Sequence, residues 1–185
     1  MTNILFVIMA LIVCCAIGCI MIYNGLMVSA QRVKEAWSTI NTQLKRRYDL
    51  IPNLIEMVKG AAKHESGTLE KVTEARRLAM SATDPAAKAK AENALTGALK
   101  TIFALGENYP SLRANENFLS AQQELADTET KIQAARQFYN TVVAAFNSRI
   151  KTFPGNIVAN KFHIEEASYF ELDAAEVQQP PKVQF

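Results

Sequence analysis

Charged side chains are missing from the first 31 residues of this 185-residue chain. The 20 Lys and Arg residues and the 18 Asp and Glu residues all lie from Arg32 onward. The uncharged run Ile4–Tyr23 has the length of a helix that crosses the hydrocarbon layer of a membrane. We therefore predict that residues 1–25 form a transmembrane anchor in the lipid bilayer.

The remainder of the chain also lacks features that several classes of protein need. The formal net charge is only +2, so there is no broad basic field to hold nucleic acid. All three cysteines, Cys14, Cys15 and Cys19, lie inside the apolar run, so no disulfide or thiol ligand is available after it. A glycine-rich loop of the kind that holds phosphate is absent. We expect no nucleic-acid partner and no bound cofactor.

The apolar run differs from a secretory signal because no Lys or Arg precedes it. We expect a retained, single-pass anchor. Arg32 and Lys34 follow the anchor, which favours a cytoplasmic position for the following domain and an outside position for Met1. The alternative is lipidation of Cys19, because residues 16–19 loosely resemble a lipoprotein processing site, and lipidation would reverse this orientation.

Helical periodicity continues beyond the anchor. One apolar stripe comprises Val33, Trp37, Ile40, Leu44, Ile51, Ile55, Val58 and Ala62. Only Asn24-Gly25 separates this stripe from the anchor, so one helix is predicted to run from the membrane into the next domain. Pro52 removes a backbone donor, which predicts a kink or a short break within residues 49–53. The stripe stays in phase across this segment, which favours the kink.

Three more helices are predicted. Ser66 is expected to cap the second, and Asp84 and Pro85 to begin the third, which extends over residues 86–105 and ends at Gly106 to Pro110. From Asn115 a near-perfect heptad comprises Phe118, Leu125, Ile132, Tyr139 and Phe146. The predicted fold is all-α, with an N-terminal transmembrane helix continuing into an elongated antiparallel four-helix bundle. The bundle is assigned to residues 26–155, and residues 156–185 to a C-terminal strap and disordered tail.

Several short motifs are similar, in order and spacing, to those of the LemA family of bacterial membrane proteins. They are Tyr23-Asn24, Arg46 to Leu54, Glu74 to Arg76, Glu107 to Pro110, Ala135 to Asn140, Phe146-Asn147, Phe153-Pro154 and Tyr169 to Glu171. The resemblance covers nearly the whole chain and implies an N-terminal anchor, which we expect in the bacterial inner membrane, and a left-twisted helical bundle. It implies no settled biochemical activity. The family often has glycine and phenylalanine where this chain has His163-Ile164.

Charged and amide side chains from three predicted helices form the candidate cluster. Its members are Arg46, Arg47, Asp49, Asn53, Arg76, Arg136 and Asn140. One interpretation is a site for an anion or a partner protein. The other, which we favour, is a buried ion-pair layer in which Asp49 and Glu74 neutralise the arginines.

An enzyme is not predicted. His64 lies at a predicted helix end and His163 in the strap, without cysteine partners or paired-histidine spacing for a metal. Two hypotheses remain. The first is a membrane-anchored helical scaffold or adaptor that self-associates at the cell envelope, with Ile102, Phe103, Phe138 and Val143 as a second apolar face. The second is a binding or sensor module that uses the arginine cluster or the strap. LemA-family genes often lie beside membrane-protease and envelope genes, so a membrane protease or another envelope protein is a candidate partner.

Overall fold

The computed structural model describes residues 2–62 and 65–170, and within those ranges it contains helices and no β-strand. The predicted all-α fold class is confirmed. The helices are α1 (Thr2–Ala61), α2 (Ser66–Ser81), α3 (Pro85–Asn108), α4 (Pro110–Arg113), α5 (Glu116–Lys151) and α6 (Gly155–Lys161). His64 and the strap residues 171–185 lie outside the described residues.

Side-chain caps explain where two of the helices begin. The Asp84 carboxylate accepts hydrogen bonds from the backbone N–H groups of Ala86 and Ala87, both at 3.0 Å, and Pro85 occupies the first turn. The Asn115 side chain accepts in the same way from Asn117 and Phe118 at the start of α5. Each cap satisfies donors that the first helical turn cannot pair internally.

Two predicted helix boundaries were wrong. Ser66 is not the N-cap of α2, because the Glu65 carbonyl already accepts the first helical hydrogen bonds, from Thr68 and Leu69. Helix α3 does not stop at residue 105 but continues through Gly106 to Asn108. Gly106 is buried because the Phe118 ring packs onto it, and an added Cβ would lie 2.8 Å from a ring carbon.

The described part of the chain divides into two compact units, to which α1 and α5 both contribute. Unit 1 comprises Met1–Ser38 and Phe138–Ala167, and unit 2 comprises Thr39–Gln137 and the segment that begins at Ser168. Four helical segments of unit 2 each bury one apolar stripe. They are residues 39–61 of α1, helices α2 and α3, and residues 116–137 of α5. This arrangement fits the predicted four-helix bundle. Its largest fully buried side chains include Ile40, Leu44, Ile51, Leu54, Leu95, Ile102, Leu112, Phe118 and Ile132.

Unit 1 joins the start of α1 to the end of α5. The Trp37 and Tyr139 rings pack with centroids 5.4 Å apart. Closer to the N-terminus, an Arg149 guanidinium nitrogen donates to the Ser29 hydroxyl at 2.6 Å. Heptad members Tyr139 and Phe146 are buried here, as the stripe predicted.

The predicted second apolar face is only partly present. Ile102 and Val143 are fully buried and belong to the cores of their own units, so neither is available to a neighbouring copy. Phe103 is half-buried and Phe138 is exposed. Heptad counting missed Val143 because a wide helical stripe includes positions beside its central column.

The first part of the predicted strap is ordered by α6 and by a side-chain clamp. Asn147 is buried, and its amide donates to the Ala167 carbonyl and accepts from the Ala167 N–H, both at 2.9 Å. His163 has φ of 52°, a conformation that glycine adopts without strain and that histidine tolerates better than most residues.

Gly155 is predicted to be required at the start of α6. A Cβ at this position would lie 2.2 Å from the Arg149 carbonyl oxygen. We expect Gly155→Ala to lower the free energy of unfolding by about 3 kcal/mol, the upper end of typical overpacking costs. Gly97→Ala is the matched control, since nothing lies within 4 Å of its added Cβ. That change should stabilise α3 by about 0.5–1 kcal/mol. Denaturant unfolding of the full chain in mild detergent, followed by circular dichroism, tests both, and equal effects would contradict the packing argument.

Candidate functional site

The guanidinium of Arg47, on α1, is buried in unit 2, where α3 and α5 contribute its partners. Its side chain is 5% exposed. One terminal nitrogen lies 3.3 Å from a Glu92 carboxylate oxygen and 3.1 Å from one of Glu129, and the other donates to the Thr96 hydroxyl at 2.7 Å. A guanidinium carries five donors in a fixed plane, so this one side chain can bind groups on two other helices at once.

Tyr48, the next residue of α1, adds a fourth connection. Its hydroxyl lies within hydrogen-bond distance of a Glu92 carboxylate oxygen and of the Ala79 carbonyl oxygen, the latter at 3.3 Å. Burial, together with the negative charge of Glu92, raises the pKa of Tyr48, because both disfavour the phenolate. Tyr48 is therefore a protonated donor that links α1 to α2 and α3.

Glu92 is the acid at the centre of this cluster, and it is 2% exposed. Burial raises the pKa of its carboxyl above the ordinary range, and the nearby Glu129 carboxylate adds to the rise. The Tyr48 hydrogen bond and the positive charges of Arg47 and Lys88 oppose it. The net direction is upward because removing a carboxylate from water costs more than these partners return.

Lys88 lies one turn before Glu92 on α3 and is also buried. Its ammonium nitrogen donates to the Ala82 carbonyl oxygen at 3.0 Å and lies 5.8 Å from the centre of the Tyr48 ring. Burial lowers the pKa of Lys88, while the charge of Glu92 acts in the opposite direction. We call the set Arg47, Tyr48, Lys88, Glu92, Thr96 and Glu129 the Arg47 cluster.

Arg136, on α5 in unit 2, is 7% exposed and stacks on an aromatic ring. Its guanidinium carbon lies 4.7 Å from the centre of the Phe170 ring. Burial lowers the pKa of Arg136, and the charges of Glu129 and Glu92 oppose that change. Cation–π contact of this kind lets a strap residue cover a desolvated arginine.

A second polar contact, separate from the Arg47 cluster, joins Arg76 of α2 to the backbone of α1 near Pro52. A proline in a helix has no N–H with which to bond the carbonyl four residues earlier, which here is that of Tyr48. The Nε–H of Arg76 donates to this carbonyl oxygen at 2.9 Å. Helix α1 continues through Pro52 without interruption, and α2 supplies the hydrogen bond that the proline removed.

A narrow cleft of about 230 Å³ opens beside the Arg47 guanidinium. Its other lining residues are Thr96, Leu99, Lys100, Phe103, Gln122, Leu125, Ala126 and Glu129. The walls are mostly apolar, and two of the charged lining residues, Arg47 and Glu129, already form an ion pair. The geometry suits a small apolar group more than a free anion.

The model of the LemA family matches residues 36–185. The chain belongs to the LemA family. Protein LemA of Metamycoplasma hominis is 29% identical over 157 residues, which cover 83% of this chain and 70% of that protein.

Residues of the LemA motifs quoted from the sequence contribute several of the buried or part-buried contacts. Arg47 and Tyr48 come from the segment Arg46 to Leu54, and Arg76 comes from Glu74 to Arg76. Arg136 and its ring partner Phe170 come from two further motifs. These segments of the LemA chain therefore meet inside unit 2, although they lie far apart in sequence.

The predicted cluster of seven residues is only partly assembled. Arg46, Asp49 and Asn53 are exposed, and Asp49 pairs with Lys45 one turn away at 2.7 Å rather than with an arginine. Asn140 is half-buried and belongs to unit 1. Arg47, Arg76 and Arg136 lie inside unit 2, but each has a different kind of partner.

The proposed partners of the arginines were wrong, although a buried ion pair is present. Asp49 is at the surface, and Glu74 binds Arg77 on its own helix at 2.5 Å. The acids that neutralise Arg47 are Glu92 and Glu129.

A signal for Glu92 was present in the sequence. Lys88, Glu92, Leu95, Leu99 and Ile102 follow helical spacing, which places two charged residues on the buried stripe of α3. No comparable signal marks Glu129 or Thr96. Their roles depend on which helices of the LemA bundle are neighbours.

We predict that Arg76 and Pro52 are energetically coupled. Arg76→Met should cost about 1 kcal/mol in the natural chain, because it leaves the Tyr48 carbonyl without a donor. In a Pro52→Ala background the cost should largely disappear, since the backbone N–H that this substitution restores can bond that carbonyl. A double-mutant cycle on unfolding free energies measures the difference.

Arg77→Met is the control for this cycle, because Arg77 binds Glu74 within α2. Its effect should be additive with that of Pro52→Ala. Additivity for Arg76 as well would contradict the assigned hydrogen bond.

Glu92 should make stability depend on pH in an unusual direction. Its pKa is raised in the folded chain, so the folded state binds the proton more tightly than the unfolded chain. The free energy of unfolding should therefore fall as pH rises from the ordinary carboxyl range, about 4.3, through the raised pKa. Glu92→Gln should remove this loss, as followed by denaturant unfolding at a series of pH values.

Glu74→Gln is the control for this experiment. The Arg77 hydrogen bond lowers the pKa of Glu74, so any contribution of Glu74 is present at higher pH and is lost as pH falls. An unchanged pH profile in Glu92→Gln would show that the buried carboxyl does not titrate in this range.

Proposed function

We propose that this LemA-family chain is a membrane-anchored helical scaffold or adaptor that self-associates at the bacterial cell envelope. The uncovered apolar half of α1 carries the proposal. None of the most apolar 18-residue stretch of α1 is buried inside the protein, whereas the same helix packs against other helices from Leu26 onward. Exposed to water, such a surface would cost about 25 cal/mol per Å² of apolar area, whereas a bilayer covers it without any protein partner.

The proposed location is the inner membrane, with α1 crossing once. Arg32 and Lys34 follow the apolar run, and positive flanks of a span tend to remain cytoplasmic. The rest of the chain would then face the cytoplasm. Because α1 is one helix from Thr2 to Ala61, the span leads into the folded part without a flexible linker.

A groove between α2 and α3 supports self-association. We call it the alanine groove, and it is an open depression of about 730 Å³ lined by Ala75, Leu78, Ala87, Ala91 and Ala94, with Glu70, Lys71, Glu74 and Lys90 as its other lining residues. Small side chains allow a second helix to approach closely, and an apolar centre with a charged rim is typical of protein interfaces. In the span, Ala16, Gly18 and Cys19 are also small and favour helix packing in the membrane. Confinement to two dimensions raises the effective concentration of copies.

The second candidate function is a binding or sensor module for a membrane enzyme or an envelope ligand. The cleft beside Arg47 favours it, because an apolar group placed there would contact the residues that join α1, α3 and α5. Its occupation could then alter the packing of the bundle. On this hypothesis a single copy is sufficient.

The mass of the purified protein in mild detergent distinguishes these functions. Light scattering across the micromolar range should give a mass of several copies, corrected for detergent. Ala94→Glu places a charge in the alanine groove and should lower that mass. Gly18→Leu, which meets nothing within 4 Å at its Cβ, should do the same in the span. Thr101→Glu is the control, since it is an exposed change on α3 that does not line the groove. A monomer at all concentrations would leave only the binding-module function.

A further inference from the structure

Three large apolar side chains lie exposed around the short helix α6 in unit 1. Phe153 is 80% exposed, Ile157 is 60% exposed and Phe162 is 56% exposed. Scattered exposed apolar residues are ordinary, but these three lie within ten residues of one another. The opposite side of α6 is fixed, because Val158 and Ala159 are buried.

The contacts within unit 1 give the position of these residues along α1. Tyr139 of α5 packs on Trp37, and ten residues later Arg149 binds Ser29. The chain therefore runs back along α1 towards the apolar run. After α6, the Phe162 ring packs on Tyr23, with ring centroids 4.7 Å apart.

Tyr23 is the last residue of the apolar run Ile4–Tyr23, and the polar Asn24 follows it. A 20-residue helix spans about 30 Å, the thickness of the hydrocarbon layer. Tyrosine at the end of such a span prefers the depth of the lipid headgroups. If α1 spans the membrane, Phe162 lies at that same depth because it contacts Tyr23.

We infer that the α6 segment, residues 153–162, inserts Phe153, Ile157 and Phe162 into the headgroup boundary of the bilayer that holds α1. This inference rests on the proposed function, since it requires α1 to be a membrane span. Apolar side chains on a short amphipathic segment penetrate about 5–10 Å into this boundary. The fixed inner face of α6 keeps the apolar residues outward, where lipid and not protein covers them.

Lipid contact here depends on apolar area more than on charge. Lys151 is paired with Glu166 at 2.8 Å, and Arg149 is hydrogen-bonded to Ser29. Lys161 is exposed at the end of α6 and can extend its ammonium towards the headgroups. Insertion should therefore persist at high salt, unlike binding through a basic patch.

Depth-dependent fluorescence quenching tests the inference. Trp37 is the only tryptophan, so Trp37→Phe provides a silent full-length chain. Ile157→Trp and Phe153→Trp then report from two exposed positions. Phe138→Trp is the matched control because Phe138 is 58% exposed, as Ile157 is 60% exposed. It neighbours Tyr139, whose ring packs on Trp37, and Trp37 lies fourteen residues beyond Tyr23, about 21 Å along α1.

Each variant is reconstituted in phosphatidylcholine vesicles with and without bromine on the acyl chains near the headgroup. We expect a blue-shifted emission and a roughly twofold loss of emission in brominated vesicles at positions 157 and 153, at low and high salt, with little change at 138. Equal quenching at all three positions, or none at 157 and 153, overturns the inference.

Vesicle flotation in the same samples separates this inference from the proposed function. If the protein does not float with the vesicles, the membrane anchor fails and the inference fails with it. If it floats but positions 157 and 153 are not quenched, the anchor stands and only the inference is overturned.

Discussion

The buried guanidinium of Arg47 places the strongest constraint on this fold. A charge removed from water must be paired and fully hydrogen-bonded, or it costs several kcal/mol. Here the partners come from α3 and α5, so the charge is satisfied only when those helices adopt one register relative to α1. Apolar stripes alone would permit α3 and α5 to shift along α1, because similar apolar side chains can occupy one another's positions in the core. Arg47 with Glu92 and Glu129 does not permit that exchange.

The backbone around Pro52 places a similar constraint on the fold, because a polar group there also needs a partner from another helix. A proline inside a long helix leaves one carbonyl without its helical donor. In this chain the deficit is met by Arg76 from a different helix, so a local defect becomes a tertiary connection. Tyr48 contributes both the orphaned carbonyl and the hydroxyl that reaches Glu92. Tyr48 thus connects the Arg76 hydrogen bond to the Arg47 cluster.

The polar groups of the Arg47 cluster bind one another or backbone carbonyls of unit 2, which is typical of a network that specifies structure. Two other surfaces remain available for interaction. They are the alanine groove of unit 2 and the exposed apolar residues around α6 in unit 1. On the proposed function the alanine groove would bind a second copy, and on the further inference the apolar residues around α6 would contact lipid.

Local pattern in the sequence was sufficient for the fold class and much of the core. The heptad from Phe118 to Phe146 predicted the buried stripe of α5, and Asp84 with Pro85 predicted the start of α3, because periodicity and capping depend only on residues a few positions apart. The LemA resemblance also followed from short motifs. The arginine cluster was predicted less well, since Arg46, Asp49 and Asn53 proved to be exposed.

Only the tertiary structure decided which partner each polar group has. Glu92 is on a buried stripe, which the sequence could have revealed, but its neighbour Arg47 is 45 residues away. In the sequence nothing distinguishes Arg76 from the other arginines. Only the folded chain places it against the Tyr48 carbonyl, which lacks a helical donor because of Pro52. Helical periodicity determines which face of a helix is buried. It does not determine which helix lies opposite or at what register, because those depend on packing between segments distant in sequence.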